Sequence, residues 1–87
     1  MVSEKVVLHN PSGLHLRPAG MLCNEAVRYQ STIEFQFENI SGNAKSVLSV
    51  LGACIKCGDE ITFTCTGTDE EAALKAMVDL VESGLGE

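Results

Sequence analysis

No apolar run in this chain approaches the roughly 20 residues that span a bilayer, which excludes a transmembrane helix. Basic residues are scarce as well. Six Lys and Arg stand against twelve Asp and Glu, a formal charge of −6. Affinity for nucleic acid comes from neutralising phosphates with Lys and Arg, so this balance argues against a nucleic-acid partner. It argues equally against an anionic membrane surface. The opening residues MVSEKVVLHN carry one Lys and only a short apolar stretch. They lack the pattern of a secretion signal, and a cytoplasmic location is expected. There is no internal repeat, low-complexity tract or linker, so residues 1–87 are expected to form one domain. The usual catalytic signatures are missing too: no G-x-S-x-G, no Walker loop, no H-E-x-x-H and no dinucleotide fingerprint.

What is present is an apolar fraction of 45%, typical of a globular chain, and four cysteines, Cys23, Cys54, Cys57 and Cys65. Without a secretion signal, reduced thiols are expected. Cys23 and Cys65 fall within apolar patterns and read as core. Cys54 and Cys57 form a C-x2-C followed by Gly58, which is half of a zinc knuckle, but the second half is absent. Neither metal nor cofactor is expected. A small metal-binding protein using Cys54 and Cys57 stays as an alternative.

Val2, Val6 and Leu8 occupy even positions of a strand over 2–8. Asn10-Pro11-Ser12-Gly13 is dense turn chemistry. Leu16, Ala19, Leu22, Cys23, Ala26, Val27 and Tyr29 follow helical spacing, and Pro18 suits a first turn, where its missing N–H costs nothing. Gly20 weakens that helix unless something approaches closely there. Thr32 to Phe37 alternates cleanly, with Ile33, Phe35 and Phe37 on one face. Residues 38–44 read as a turn plus a short strand. Ser46 is placed to cap a short helix through Val47, Leu48, Val50 and Leu51. Ile61, Phe63 and Cys65 alternate with threonines in another strand. Thr68 and Glu71 form a T-x-x-E capping box before a helix burying Ala73, Leu74, Met77, Leu80 and Val81, with Gly84 at its C-terminal cap. The order β-α-β-β-α-β-α, with half-polar strands, predicts an α+β two-layer sandwich: helices on one face of the sheet, water on the other.

His15 is the one polar residue with a suggestive setting, between a turn and a helix. A helix N-terminus carries about half a positive charge and several unpaired N–H groups, a ready anion site. Arg17 adds a full charge and a forked donor. A neutral ring nitrogen there is a good nucleophile toward phosphorus near neutral pH, and phosphorylation would deposit a dianion among donors suited to one. Ser12 would add a donor, and Gly13 would let a large partner approach. From these residues alone, a plain helix cap is the favoured reading of His15. His9 reads as a strand-end surface residue.

The stretch GLHLRPAG resembles the active-site motif G-[IL]-H-x-R-P-A of the HPr family, the histidine phosphocarriers of the bacterial sugar phosphotransferase system. NAKSVLSVL resembles the family's second motif, around a regulatory serine, and GDEITF with the helix after it is similar to the C-terminal third. The resemblance spans nearly the whole chain. It implies an open-faced β-α-β-β-α-β-α sandwich with a four-stranded antiparallel sheet covered on one face by three helices. It implies a carrier rather than an enzyme with its own turnover. Enzyme I, charged from phosphoenolpyruvate, would phosphorylate His15 on Nδ1, and the group would pass to the IIA domain of a sugar permease. Arg17 would steady the phosphate, supported by Ser12, Leu16 and Pro18. Val47, Leu48, Leu51 and Gly20 would form the partner surface. Ser46 matches the serine that a dedicated ATP-dependent kinase phosphorylates, which brings in that kinase and a catabolite-control regulator as partners. Four residues depart from the family pattern: Leu16 replaces a small residue or Thr, and Ser49, Ala53 and Cys54 replace Gly, Leu and Gly. A regulatory binding module acting mainly through Ser46 is the main alternative.

Overall fold

A computed structural model describes residues 1–87. The elements are β1 (Val2–Val7), α1 (Leu16–Ala26), β2 (Thr32–Phe37), β3 (Ile40–Asn43), α2 (Val47–Gly52), β4 (Glu60–Thr66) and α3 (Glu70–Glu82). The four strands form one antiparallel sheet in the order β1-β4-β2-β3. Period-two patterning sets its faces. Ile33 and Phe35 of β2 and Ile61, Phe63 and Cys65 of β4 are buried, while Thr32, Glu34 and Gln36 face solvent. The register places Phe35 opposite Phe63 and Ile33 opposite Cys65, so the two central strands present one continuous apolar face. A slip of one residue would turn that face to water. On the edge strand Val6 is buried, whereas Glu4, opposite Phe63, is exposed. Leu8 lies one residue beyond β1 and is fully buried; its N–H donates to Asp59 O at 2.9 Å and its carbonyl accepts from Gly58 N at 2.7 Å.

The helices cover the apolar face. α1 buries Pro18, Ala19, Leu22, Cys23 and Ala26. Leu16 and Val27, assigned by spacing to the same stripe, are 65% and 58% exposed, because the stripe outruns the layer beneath it at both ends. α3 buries Ala73, Met77, Val78 and Val81. Leu74 and Leu80 are only half-buried, so the buried stripe is turned toward Val78 relative to the predicted one. Ser46 caps α2 as expected, its Oγ accepting from Ser49 N at 3.3 Å. The turn after α3 closes with Gly84 N donating to Val81 O at 3.1 Å and Leu85 N to Leu80 O at 3.2 Å, a Schellman pattern.

The capping box predicted at Thr68 and Glu71 does not form. Asp69 is the N-cap residue, and Glu70 rather than Glu71 reaches back, accepting from Gly67 N at 3.1 Å. The Asp69 carboxylate is engaged elsewhere. It accepts from the N–H groups of Gln30 and Ser31, each at 2.9 Å, and from Ser31 Oγ at 2.5 Å. These bonds, the Ser31 hydroxyl first, hold its carboxyl down at about 2. They tie the entry to β2 onto the start of α3. No helix is long and apolar enough to cross a membrane.

Candidate functional site

The β1–α1 loop is the most tightly braced irregular segment. Asn10 is buried, and its Nδ2 donates to Gly13 O at 2.8 Å and to Glu87 Oε1 at 3.0 Å. Gly13 N returns a bond to Asn10 O at 3.1 Å, and the next residue, Leu14, donates to Ile55 O at 2.9 Å. Leu14 and Ile55 are both core residues. Gly13 has φ 65 and lies so close to the segment after α2 that a Cβ would stand 2.7 Å from both Ile55 O and Lys56 Cα. The close approach expected at Gly13 is therefore made by this chain itself, and Gly13 is buried rather than open to a partner.

The braced loop delivers His15 as the N-cap residue of α1, with extended backbone (φ −77, ψ −173). Its carbonyl accepts from Ala19 N at 2.9 Å, but its ring makes no capping hydrogen bond and is exposed. The N–H groups of Leu16 and Arg17 find no acceptor, and Pro18 has none to offer. His15 therefore stands free before two unpaired donors in the positive field of a helix end. The buried Pro18 contributes packing, and the exposed Leu16 contributes its backbone N–H.

Arg17 is exposed and forms no ion pair, yet its charge reaches Glu87. The Glu87 side chain sits on the loop. Oε1 accepts from Ser12 N at 3.1 Å, and Oε2 accepts from Ser12 Oγ at 2.5 Å. Its carboxyl is held below the ordinary range, first by the Ser12 hydroxyl, then by Asn10 and the Ser12 N–H, with a smaller share from Arg17. Sequence reasoning missed both Glu87 and Asn10. An Asn opening a turn is a recognised side-chain bonding position and could have been flagged. The contact with Glu87 joins distant parts of the chain and leaves no signal in one sequence.

Ser12, His15, Leu51 and Cys54 line one open cavity. Val47 and Leu48 lie outside that lining on the first turn of α2; Leu48 is 79% exposed and Val47 half-buried. A Cβ on Gly20 would meet nothing within 4 Å, so nothing inside the fold requires glycine there. Ser46, half-buried, heads α2 away from the cavity lining. Among the departures, Ala53 is buried and Ser49 exposed, and Cys54 keeps a left-handed backbone at φ 55 despite its side chain. Cys54 and Cys57 belong to no group of three His, Cys, Asp or Glu side chains placed to hold a metal. His9 is exposed but not free: its Nε2 donates to Glu82 O at 2.7 Å, at the end of α3.

A family model described as the PTS HPr component phosphorylation site matches residues 2–83. The phosphocarrier protein HPr of Lysinibacillus sphaericus is 35% identical over 88 residues, covering 100% of both chains. The multiphosphoryl transfer protein of Salmonella typhimurium is 37% identical over 92 residues, which is 100% of this chain and 24% of that one. The crystal structure of HPr from Thermoanaerobacter tengcongensis superposes with a TM-score of 0.97 at 36% identity, over 100% of this chain and 98% of that chain. Fold and likeness together define a small phosphoryl carrier on an open-faced sandwich. The chain belongs to the HPr family, the phosphocarriers of the phosphotransferase system.

Proposed function

We propose that His15 is the residue that carries the phosphoryl group, received from enzyme I and passed to the IIA domain of a sugar permease, in the cytoplasm and within one domain over 1–87. The observation that supports this is the exposed, uncapped ring of His15 standing before the unpaired N–H groups of Leu16 and Arg17. A neutral ring nitrogen, Nδ1 by the family resemblance, attacks phosphorus in line. The N–P bond forms as the bond to the donor breaks, and the transferred dianion arrives where the helix field and the Arg17 guanidinium favour it. Ser12 and the backbone beside Pro18 support the group. Val47, Leu48, Leu51 and Gly20 form the surface that partners grip. Ser46 is the regulatory site, phosphorylated by a dedicated kinase and read by a catabolite-control regulator.

The test is incubation with phosphoenolpyruvate and enzyme I followed by intact mass. One phosphoryl group is expected, labile in acid and stable in base, because protonating the ring nitrogen makes it a leaving group. His15→Ala should abolish it, and His9→Ala should not. Phosphorylation of His15→Ala would overturn the assignment.

A further inference from the structure

The four thiols divide into two kinds. Cys23 and Cys65 are buried; Cys54 and Cys57 are exposed. Both exposed thiols line the cavity that also holds His15, Ser12, Leu51 and Lys56. Neither thiol contributes to the core. Cys54 has no conformational reason to be there either, since at φ 55 a residue with a side chain strains the left-handed backbone. The cavity volume of about 650 Å3 falls within the roughly 300–1,000 Å3 of small-molecule sites. Its wall offers apolar contact from Pro11 and Leu51 and one cation from Lys56, which suits an anionic thiol of tripeptide size.

We propose that Cys54 and Cys57 are sites of reversible S-thiolation by a low-molecular-weight disulfide, and that the adducts close the face around His15 to its phosphotransfer partners. The step is thiol–disulfide exchange. A cysteine thiolate attacks one sulfur of the small disulfide, a new S–S bond forms to Sγ, and the other half leaves as a thiolate that takes a proton from water. The small disulfide is the oxidant, and a free thiol in excess reverses the reaction. The residues between the two cysteines are held in place: Ile55 O accepts from Leu14 N at 2.9 Å, and Lys56 N donates to Asp59 Oδ2 at 2.8 Å. That bracing favours two separate adducts over a bent Cys54–Cys57 ring. The blocking half of the proposal rests on the carrier reading of His15.

The test uses the reduced full chain and glutathione disulfide, without denaturant. Intact mass with peptide mapping should show glutathione on Cys54 and Cys57 and none on Cys23 or Cys65. The initial rate of phosphorylation by enzyme I should fall at least about tenfold, a loss of roughly 1.4 kcal/mol of partner binding, and dithiothreitol should restore it. The double variant Cys54→Ser, Cys57→Ser should keep the basal rate and ignore glutathione disulfide. An intramolecular disulfide without adducts, or adducts with an unchanged rate, would overturn the proposal. If the reduced protein is not phosphorylated on His15, the carrier reading falls and the blocking half falls with it. Where the reduced protein is phosphorylated on His15 and adducts leave that rate unchanged, the carrier reading stands and this proposal falls.

Discussion

Replacing Gly13 with alanine tests how the loop before His15 is held. Two costs add. At φ 65 a residue with a Cβ pays on the order of 1–2 kcal/mol. The new methyl would also lie 2.7 Å from Ile55 O and Lys56 Cα, which are backbone atoms that no rotamer change can move aside. Relief requires lifting the loop, which sacrifices the Leu14 N to Ile55 O hydrogen bond of 2.9 Å. Losing such a bond costs about 0.5–1.5 kcal/mol. The sum is about 1.5–3.5 kcal/mol, and at roughly 4–8 °C per kcal/mol for a domain of this size the Tm should fall by about 6–28 °C. Gly58→Ala is the control. Its φ is 95 and its added Cβ meets nothing within 4 Å, so only strain remains. Thermal unfolding of both variants by circular dichroism, beside enzyme I kinetics well below either Tm, separates the contributions. Gly13→Ala should also slow transfer, because His15 moves with the loop. If Gly13→Ala is no more destabilised than Gly58→Ala, the bracing by Ile55 and Lys56 is not what holds the loop.

Three other outcomes are expected. Arg17→Ala should slow transfer from enzyme I while leaving Tm equal or slightly higher, since a cation at a helix N-terminus opposes the dipole; normal transfer with a clear loss of Tm would make Arg17 structural. Ser46→Asp should keep the native circular dichroism, because a negative group suits the start of α2. It should nonetheless slow His15 phosphorylation, as enzyme I would have to desolvate a charge beside Val47 and Leu48; unchanged kinetics would leave Ser46 as a cap only. Asp69 titrates at about 2 in the fold against an ordinary 3.8, so its stabilising share is full above the ordinary value and is lost as pH falls toward the folded one. Asp69→Asn should lower stability at neutral pH and flatten the loss between about pH 4 and 2, as read by urea unfolding at each pH; an acid loss as steep as that of the parent would exonerate Asp69.

Strand alternation made β2 and β4 legible, because burial on one face of a sheet forces period two and little else does. The same held for the Ser46 cap and for Gly84, where local backbone chemistry decides the outcome. Misreadings came where a residue had a distant competitor. Thr68 and Glu71 satisfy a capping pattern, yet the backbone of Gln30 and Ser31 recruits Asp69, and the helix start settles beside it. Leu16 matches the helical stripe of Ala19 and Cys23, but no layer lies beneath it. The motif and the place before a helix single out His15 as the candidate acceptor. The bracing that holds it, through Asn10, Ile55 and Glu87, joins residues far apart in the chain and had no trace in their order.

The strand order also governs when the molecule comes into being. β1 has one strand partner, β4, with Val2 lying opposite Cys65. A chain growing from its N-terminus thus exposes β1, the His15 loop and α1 long before the strand that completes their sheet exists. Pairings so distant in sequence are slow to form, because the intervening loop must be closed before any bond rewards it. Ile55 and Asp59, which hold the loop and the end of β1, also arrive late. On the ribosome, His15 is thus a histidine on an unfinished chain, and it acquires its setting only once β4 has emerged. Prematurely released chains contain the whole GLHLRPAG stretch and lack the bracing that Ile55 gives it and that Asp59 gives the end of β1.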